Sequence, residues 1–226
     1  MPFEQQPEEI RQRVISLAQQ AIHQQNPTAW FDILYDEANG DTAQIPWARL
    51  TIHPYLEEWL HQQAVAGKGK SALVIGCGLG DDAEALAKLG FEVTGFDISP
   101  TAIAWCQQRF PDSSVTYVVA DLFALDAAWN GKFDLVIESR TIQALPLKVR
   151  KPAISSIANL VASQGTLLVI TRYRDTEEEP DGPPWALSES ELQQFQDLGL
   201  QEVRRDVFVR EESDVRELRL EYSKML

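Results

Sequence analysis

From Ser71 onward the chain alternates between continuous apolar runs and amphipathic stretches of about ten to fifteen residues. In order these are "ALVIG", "DDAEALAKLG", "EVTGFD", "SPTAIAWCQQRF", "SVTYVVAD", "FDLVIES", "KVRKPAISSIANLV" and "GTLLVITR". A strand that is apolar on both sides must be covered on both sides. Helices between such strands are the crossovers that parallel pairing requires. The pattern therefore predicts an α/β fold, a mostly parallel sheet with helices on both faces. The tail reads differently. "LQEVRRDVFVR" and "VRELRLEYSK" alternate apolar and charged residues with "EESD" between them, which predicts a C-terminal antiparallel hairpin at a sheet edge and seven strands in all. Ser188 as a cap, Glu191 three residues later and Gly199 as a stop predict one more helix before that hairpin.

The first 70 residues lack this alternation. From Pro7 to Gln25, Ile10, Val14, Leu17, Ala18, Ala21 and Ile22 recur at three and four positions, the face of one helix, and Asn26-Pro27 ends it. The segment that follows carries Trp30, Phe31, Tyr35, Trp47, Tyr55 and Trp59 with Gly and Pro interruptions, which reads as helices broken by loops. "AGKGKS" (Ala66–Ser71) reads as a linker. Residues 1–70 are thus expected to be an N-terminal helical cap and residues 71–226 the main domain. Removing everything before Ala66 is expected to abolish turnover even if the main domain still folds.

A chain of 226 residues, 44% hydrophobic, can bury one sizeable core. Its 34 acidic and 20 basic residues give a net charge of -14, which repels nucleic acid over most of the surface. Cys77 and Cys106 show no C-x-x-C or Cys/His ligand spacing, which argues against structural zinc and suits a reducing compartment. With no leader-like N-terminus and no apolar run near the roughly 18 residues of a membrane helix, the expectation is a cytoplasmic monomer with no membrane partner.

The stretch Ala72–Asp97, "ALVIGCGLGDDAEALAKLGFEVTGFD", carries the chemistry. In a doubly wound sheet a ligand sits beyond the carboxyl ends of the strands at the switch point, where Gly76, Gly78 and Gly80 fall. The dinucleotide fingerprint wants Gly or Ala where this chain has Asp81, followed by Asp82. Two carboxylates over a helix N-terminus repel a pyrophosphate and suit an ammonium or a sulfonium. Asp97 ends the second strand, where an acid can accept two ribose hydroxyls, and Asp121 ends the third, where an adenine amino group would lie.

This set resembles the S-adenosylmethionine-dependent methyltransferases of the Rossmann-like class over roughly Ser71 to Lys224. Within that class the chain is similar to the thiopurine, thiol and halide methyltransferase group. "GCGLGDD" resembles its G-C-G-x-G-x-D, "FDLVIESRTIQALPLKVR" its F-D-x-(V/I)-x-D-x-x-x-L-x-A-L-P-P-x-x-R, "GPPW" its G-P-P-F, and "IPWARLTIHP" its T-P-W-D-x-G-x-x-x-P. The resemblance implies S-adenosylmethionine as cofactor, S-adenosylhomocysteine as product, and no metal. It sets Gly76, Cys77, Gly78 and Gly80 against the amino-acid end of the cofactor, Asp97 on its ribose, and Asp121 and Leu122 by its adenine. Trp47 would cover it from the cap, and Asp82, Ile98 and Glu138 complete the expected cofactor set. Tyr35, Arg140 and Trp185 are expected at a small-molecule substrate, Arg140 holding an anionic one. The chain departs from the group at Glu138, where the group has Asp, at Ser139, where the thiopurine enzymes have Arg, and at Ala48 and Leu50 in the cap motif.

Methyl transfer from a sulfonium needs alignment and desolvation more than acid–base catalysis when the acceptor ionises readily. A thiol is the expected acceptor, with halide as another soft nucleophile. The competing readings are an O- or N-methyltransferase with His53 as general base, an NAD(P)-dependent oxidoreductase, which Asp81 opposes, and a non-catalytic cofactor-binding module that contacts partners through the acidic "DTEEEP" loop.

Overall fold

The computed structural model describes residues 6–209 and 215–225. The "EESD" turn expected at 211–214 lies outside the described residues. Seven strands form one sheet: β1 Ser71–Ile75, β2 Glu92–Asp97, β3 Thr116–Val119, β4 Phe133–Ser139, β5 Val161–Tyr173, β6 Leu200–Val209 and β7 Arg216–Lys224. Their order is β3-β2-β1-β4-β5-β7-β6. The first five pair in parallel, and β7 lies antiparallel between β5 and β6. The fold is Rossmann-like with a C-terminal antiparallel hairpin, as the alternation predicts. The strand reversal falls between β1 and β4, where the connection changes direction across the sheet.

Helices cover both faces. α3 (Pro54–Gln62), α4 (Asp81–Lys88) and α5 (Pro100–Arg109) lie on one. There Leu56, Trp59, Leu60, Leu86 and Ile103 join Ala72, Val74, Val93, Ile137 and Leu168 in one buried cluster. α6 (Leu147–Leu160) and α7 (Glu189–Asp197) lie on the other. Ile154, Ile157, Leu192 and Phe195 pack there against Leu73, Phe96, Val136, Leu167 and Leu220. Adjacent residues of one strand thus enter opposite clusters, the structural origin of the uninterrupted apolar runs. The predicted capping box closes α7: Ser188 Oγ accepts from Glu191 N, and Glu191 Oε2 accepts from Ser188 N at 2.8 Å.

α1 (Glu8–His23) and α2 (Ala29–Ala38) build a third cluster, in which Val14, Ala18, Trp30, Leu34 and Tyr35 pack with Leu79, Ala102 and Trp185. α3 behaves differently from these two. Its apolar face belongs to the sheet, where Leu56, Trp59 and Leu60 share a buried cluster with Ala72 and Val74. The "AGKGKS" stretch is likewise packed: Gly67 lies against the Phe91 ring too closely for a Cβ, and its N–H donates to Leu89 O at 3.0 Å. No helix among the described residues is long and apolar enough to cross a membrane.

Candidate active site

Register aligns the strand ends. Ile75 pairs with Phe96 and Glu138, and Asp97 with Val119, so the segments after β1, β2, β3 and β4 open on one edge. They wall a cavity of about 240 Å³.

On the β1–β3 side the loop after β1 turns through left-handed backbone at Gly76 (φ 57°) and Gly80 (φ 87°). A Cβ on Gly76 would sit 2.6 Å from Thr141 Oγ1, so glycine is needed for shape as well as for φ. Gly80 corrects a sequence expectation. Its open side is filled by the Tyr117 hydroxyl and Cys106 Sγ, 2.5 and 3.2 Å from where a Cβ would stand, and it does not line the cavity. Gly76, Cys77 and Gly78 do. Both thiols are free. Cys77 is held well above its ordinary pKa, first by its contact with Cys106 and then by burial, so it is a neutral wall and not a nucleophile.

Asp97 is 7% exposed. Its Oδ2 accepts from Gly78 N and its Oδ1 from Ser99 N, each at 3.0 Å. Burial raises its pKa, and those backbone bonds oppose the rise. Each oxygen retains a lone pair, enough for two further donors. Asp121 uses Oδ1 to accept from Phe123 N at 2.9 Å and lines the cavity beside Ile98, Leu122 and Phe123. Asp81 and Asp82 part company. Asp81 receives both Arg109 terminal nitrogens at 2.8 and 3.0 Å, so its charge is answered by α5. Asp82 accepts from His53 N at 2.7 Å, and burial pushes it up to about 6 against the pull of that bond and of Arg49 and Arg140.

Aromatic side chains roof this end. Trp47 Nε1 donates to the Tyr35 hydroxyl at 2.7 Å, and that hydroxyl stands beside Gly78. Burial raises the Tyr35 pKa well above its usual value, so the phenol stays neutral. Trp30 stacks on Phe31 with centroids 4.1 Å apart, and Trp47 meets both edge-on at 5.8 and 6.1 Å. α2 is fastened to the core through Asp32, whose Oδ1 accepts from Ser99 Oγ at 2.6 Å and Thr101 N at 3.2 Å. Ser99 also caps α5, so one serine orients the loop after β2 and the helix that carries the roof.

On the β4–β5 side Arg140 has positive φ (67°), an uncommon conformation for a branch-free side chain of this length, and lines the cavity. Its Nε donates to His53 Nε2 at 3.1 Å and its Nη2 to Glu217 Oε1 at 2.8 Å. His53 also caps α3, Nδ1 accepting from Tyr55 N at 3.3 Å. Both ring nitrogens therefore face donors, and a general base needs one lone pair open to its substrate.

Two more expected residues stand off the cavity wall. Glu138 is fully buried under the 3₁₀ turn Ile142–Ala144, where Oε1 accepts from Thr141 N at 2.7 Å and Ile142 N at 2.9 Å. Burial pushes it up to about 7. Trp185 packs in the third cluster, while Pro183 and Pro184 of the same "GPPW" stretch line the cavity.

Sequence reasoning missed the residues that hold this wall. Arg150, the last residue of the "FDLVIESRTIQALPLKVR" match, is buried; it donates from Nε to Leu145 O at 3.0 Å, from Nη2 to Trp185 O at 2.5 Å, and pairs with Glu191 at 2.7 Å. The two narrow sequence matches are thus one device, with Arg150 clamping the "GPPW" loop to the turn after β4. Arg49, Thr141, Gln143 and Arg172 line the cavity too. Among the described residues no group of three or more His, Cys, Asp or Glu side chains is placed to hold a metal ion.

An acidic rim at the ends of β2 and β3, an apolar shelf at Ile98 and Leu122, and glycine backbone at the end of β1 fit a nucleoside joined to an amino-acid moiety. The thiopurine S-methyltransferase (TPMT) family profile matches residues 37–221. The chain belongs to that family. As a TPMT-family member it is an S-adenosylmethionine-dependent methyltransferase. It is 25% identical over 182 residues to the thiopurine S-methyltransferase of Shewanella pealeana, covering 74% of this chain and 80% of that one. It is 28% identical over 157 residues to the 2-heptyl-1-hydroxyquinolin-4(1H)-one methyltransferase of Mycobacteroides abscessus, covering 68% and 67%. Its fold matches the Burkholderia thailandensis 1,6-didemethyltoxoflavin-N1-methyltransferase, solved with its substrate and S-adenosylhomocysteine, with a TM-score of 0.64 at 18% identity over 87% of this chain and 86% of that one.

Proposed function

We propose that this TPMT-family enzyme methylates a small thiol, or a comparably soft acceptor such as halide, without a metal. The observation that carries the reading is the charge at the β4–β5 end. Arg49, Arg140 and Arg172 line the cavity, Arg140 paired with Glu217, in a chain whose net charge is -14. A guanidinium beside an acceptor favours its ionised form and so lowers a thiol's pKa. S-adenosylmethionine, when bound, supplies an electrophilic methyl group on sulfonium sulfur. Asp97 and Asp121 would hold its ribose and adenine, and Gly76–Gly78 its amino-acid end. Trp30, Phe31 and Trp47 would exclude water from the reacting atoms, and Arg140 would orient the anionic acceptor. Holding two partners in line can contribute roughly 7–11 kcal/mol with no proton transfer by the protein.

One observation favours a second reading. Asp82 lines the cavity and titrates near 6, in the range of a general base for a hydroxyl acceptor. Methyl transfer from labelled cofactor to thiols of graded acidity, phenols, amines and halides separates the two. On the first reading the rate follows ionisation of the thiol, and Asp82→Asn leaves that profile in place. Activity confined to hydroxyl or amine acceptors, with an Asp82-dependent limb near pH 6, would select the second.

A further inference from the structure

Gln143 lies on the 3₁₀ turn after β4, is 4% exposed and lines the cavity. Its Oε1 accepts from Arg172 N at 2.7 Å and lies 3.4 Å from Thr171 Oγ1. Because a backbone N–H can only donate, that bond fixes which way the carboxamide faces, with its oxygen toward β5. The main-chain carbonyl of Gln143 accepts from Trp185 N at 2.7 Å, and Arg150 in turn holds Trp185 O. Gln143 is thereby held from β5, from the "GPPW" loop and through Arg150. Its Nε2 has no acceptor among the described residues. Unlike Glu138 Oε2, which is buried without a partner, Nε2 is not sealed off from the cavity that the residue lines. What remains is a rigid, neutral pair of N–H donors on the acceptor side of the cavity.

We propose that Gln143 selects the methyl acceptor by donating a hydrogen bond to a second atom of it, a carbonyl oxygen or an unprotonated ring nitrogen close to the nucleophile. The inference rests on the placement of the acceptor beside β4 and β5 given above. It narrows the substrate to thiols that carry such an atom and demotes halides and plain alkyl or aryl thiols, which leave the carboxamide unsatisfied. A site built to hydrogen-bond a group discriminates strongly against analogues that lack it.

The test uses matched pairs: 2-mercaptopyridine against thiophenol, and methyl thioglycolate against propanethiol. kcat and KM are measured with labelled S-adenosylmethionine for the full-length wild type, Gln143→Leu and Gln143→Glu, alongside S-adenosylhomocysteine affinity by calorimetry. Gln143→Glu keeps an oxygen for Arg172 N and replaces only the donor, so it covers the case in which the leucine variant fails to fold. The preference for the acceptor-bearing member of each pair should fall about tenfold in either variant, chiefly through KM, with product affinity within about twofold of wild type. An unchanged preference, or equal losses for both members, would overturn the proposal and leave Gln143 a structural residue. Weakened S-adenosylhomocysteine binding would assign the donors to the cofactor carboxylate instead. If the wild type methylates no thiol but does methylate hydroxyls, S-methylation fails, and the same ratio is read on 2-hydroxypyridine against phenol. No turnover of either series would overturn both.

Discussion

On the β1–β3 side of the cavity the inward groups follow directly on strand ends: Gly76–Gly78 after β1, Asp97 and Ile98 at the end of β2, and Asp121 and Leu122 just past β3. On the β4–β5 side they come from four segments far apart in sequence, from Arg49 and His53 before the sheet to Pro183 and Pro184 after β5, and three of the residues are arginines. The first side is backbone and carboxylate, held by N–H bonds from the loops themselves. The second is guanidinium and carboxamide, held by a buried clamp at Arg150. A binding half made of local turns can be shared by a whole family, whereas one assembled from distant side chains can be rewired for a particular acceptor.

The largest expected effect breaks the first half. Asp97→Ala removes two buried acceptors and frees Gly78 N–H, and each charge-assisted hydrogen bond is worth about 1.5–3 kcal/mol. S-adenosylhomocysteine affinity by calorimetry should fall at least about a hundredfold.

The next prediction marks the border between the halves. Glu138 is raised from 4.5 to about 7 in the folded chain, so between those values the native state binds more protons than the unfolded one and stability falls as pH rises. Relative to wild type, Glu138→Gln should therefore gain about 2–3 kcal/mol between pH 5 and pH 8 in denaturant titrations, with the difference fading toward pH 4.5. Because Glu138 caps a turn and stands off the cavity wall, S-adenosylhomocysteine should leave that slope in place. A slope abolished by the ligand would put Glu138 back on the cofactor.

Smaller effects sharpen the comparison. Trp47→Phe keeps the ring and loses the bond to Tyr35, which should cost roughly fivefold to tenfold in kcat/KM for any acceptor, since the roof serves both halves. His53→Ala should lower stability by about 1 kcal/mol through loss of the α3 cap while leaving the shape of the pH–rate profile for thiols unchanged. Asp121→Ala is expected to be mildest, about threefold to fivefold in product affinity, because one of its oxygens already serves the turn at Phe123.

Legibility in sequence follows the same division. The seven strands, the antiparallel end, the α7 capping box and the run Gly76, Asp97, Asp121 were readable because each depends on local periodicity or on position after a strand. The expectation that Trp185 faces the substrate failed because "GPPW" presents its two prolines to the cavity and turns the tryptophan into the α1–α2 cluster. Gly80 failed because a ligand and a packed tyrosine impose the same demand on a glycine, and Tyr117 satisfies it here. Gln143 and Arg172 carried no signal at all. They meet only because Ile170 of β5 pairs with Ser139 of β4, a register that hydrophobic pattern alone does not specify. The one available pointer was Arg150, whose place at the end of the "FDLVIESRTIQALPLKVR" match is explained by a buried clamp.

The division of the cavity is tested most directly by measuring, in one set of experiments, S-adenosylhomocysteine affinity and acceptor KM for Asp97→Ala and Arg140→Lys. Lysine keeps a cation for Glu217 but cannot reproduce the fork that reaches His53 and Glu217 together. Asp97→Ala should weaken the product at least about a hundredfold with acceptor KM, at saturating cofactor, changed by less than about threefold. Arg140→Lys should raise the KM of an anionic thiol about tenfold and leave product affinity within about twofold. Losses that move together in both variants, or that fall on the opposite ligand, would contradict the assignment of cofactor to the β1–β3 side and acceptor to the β4–β5 side.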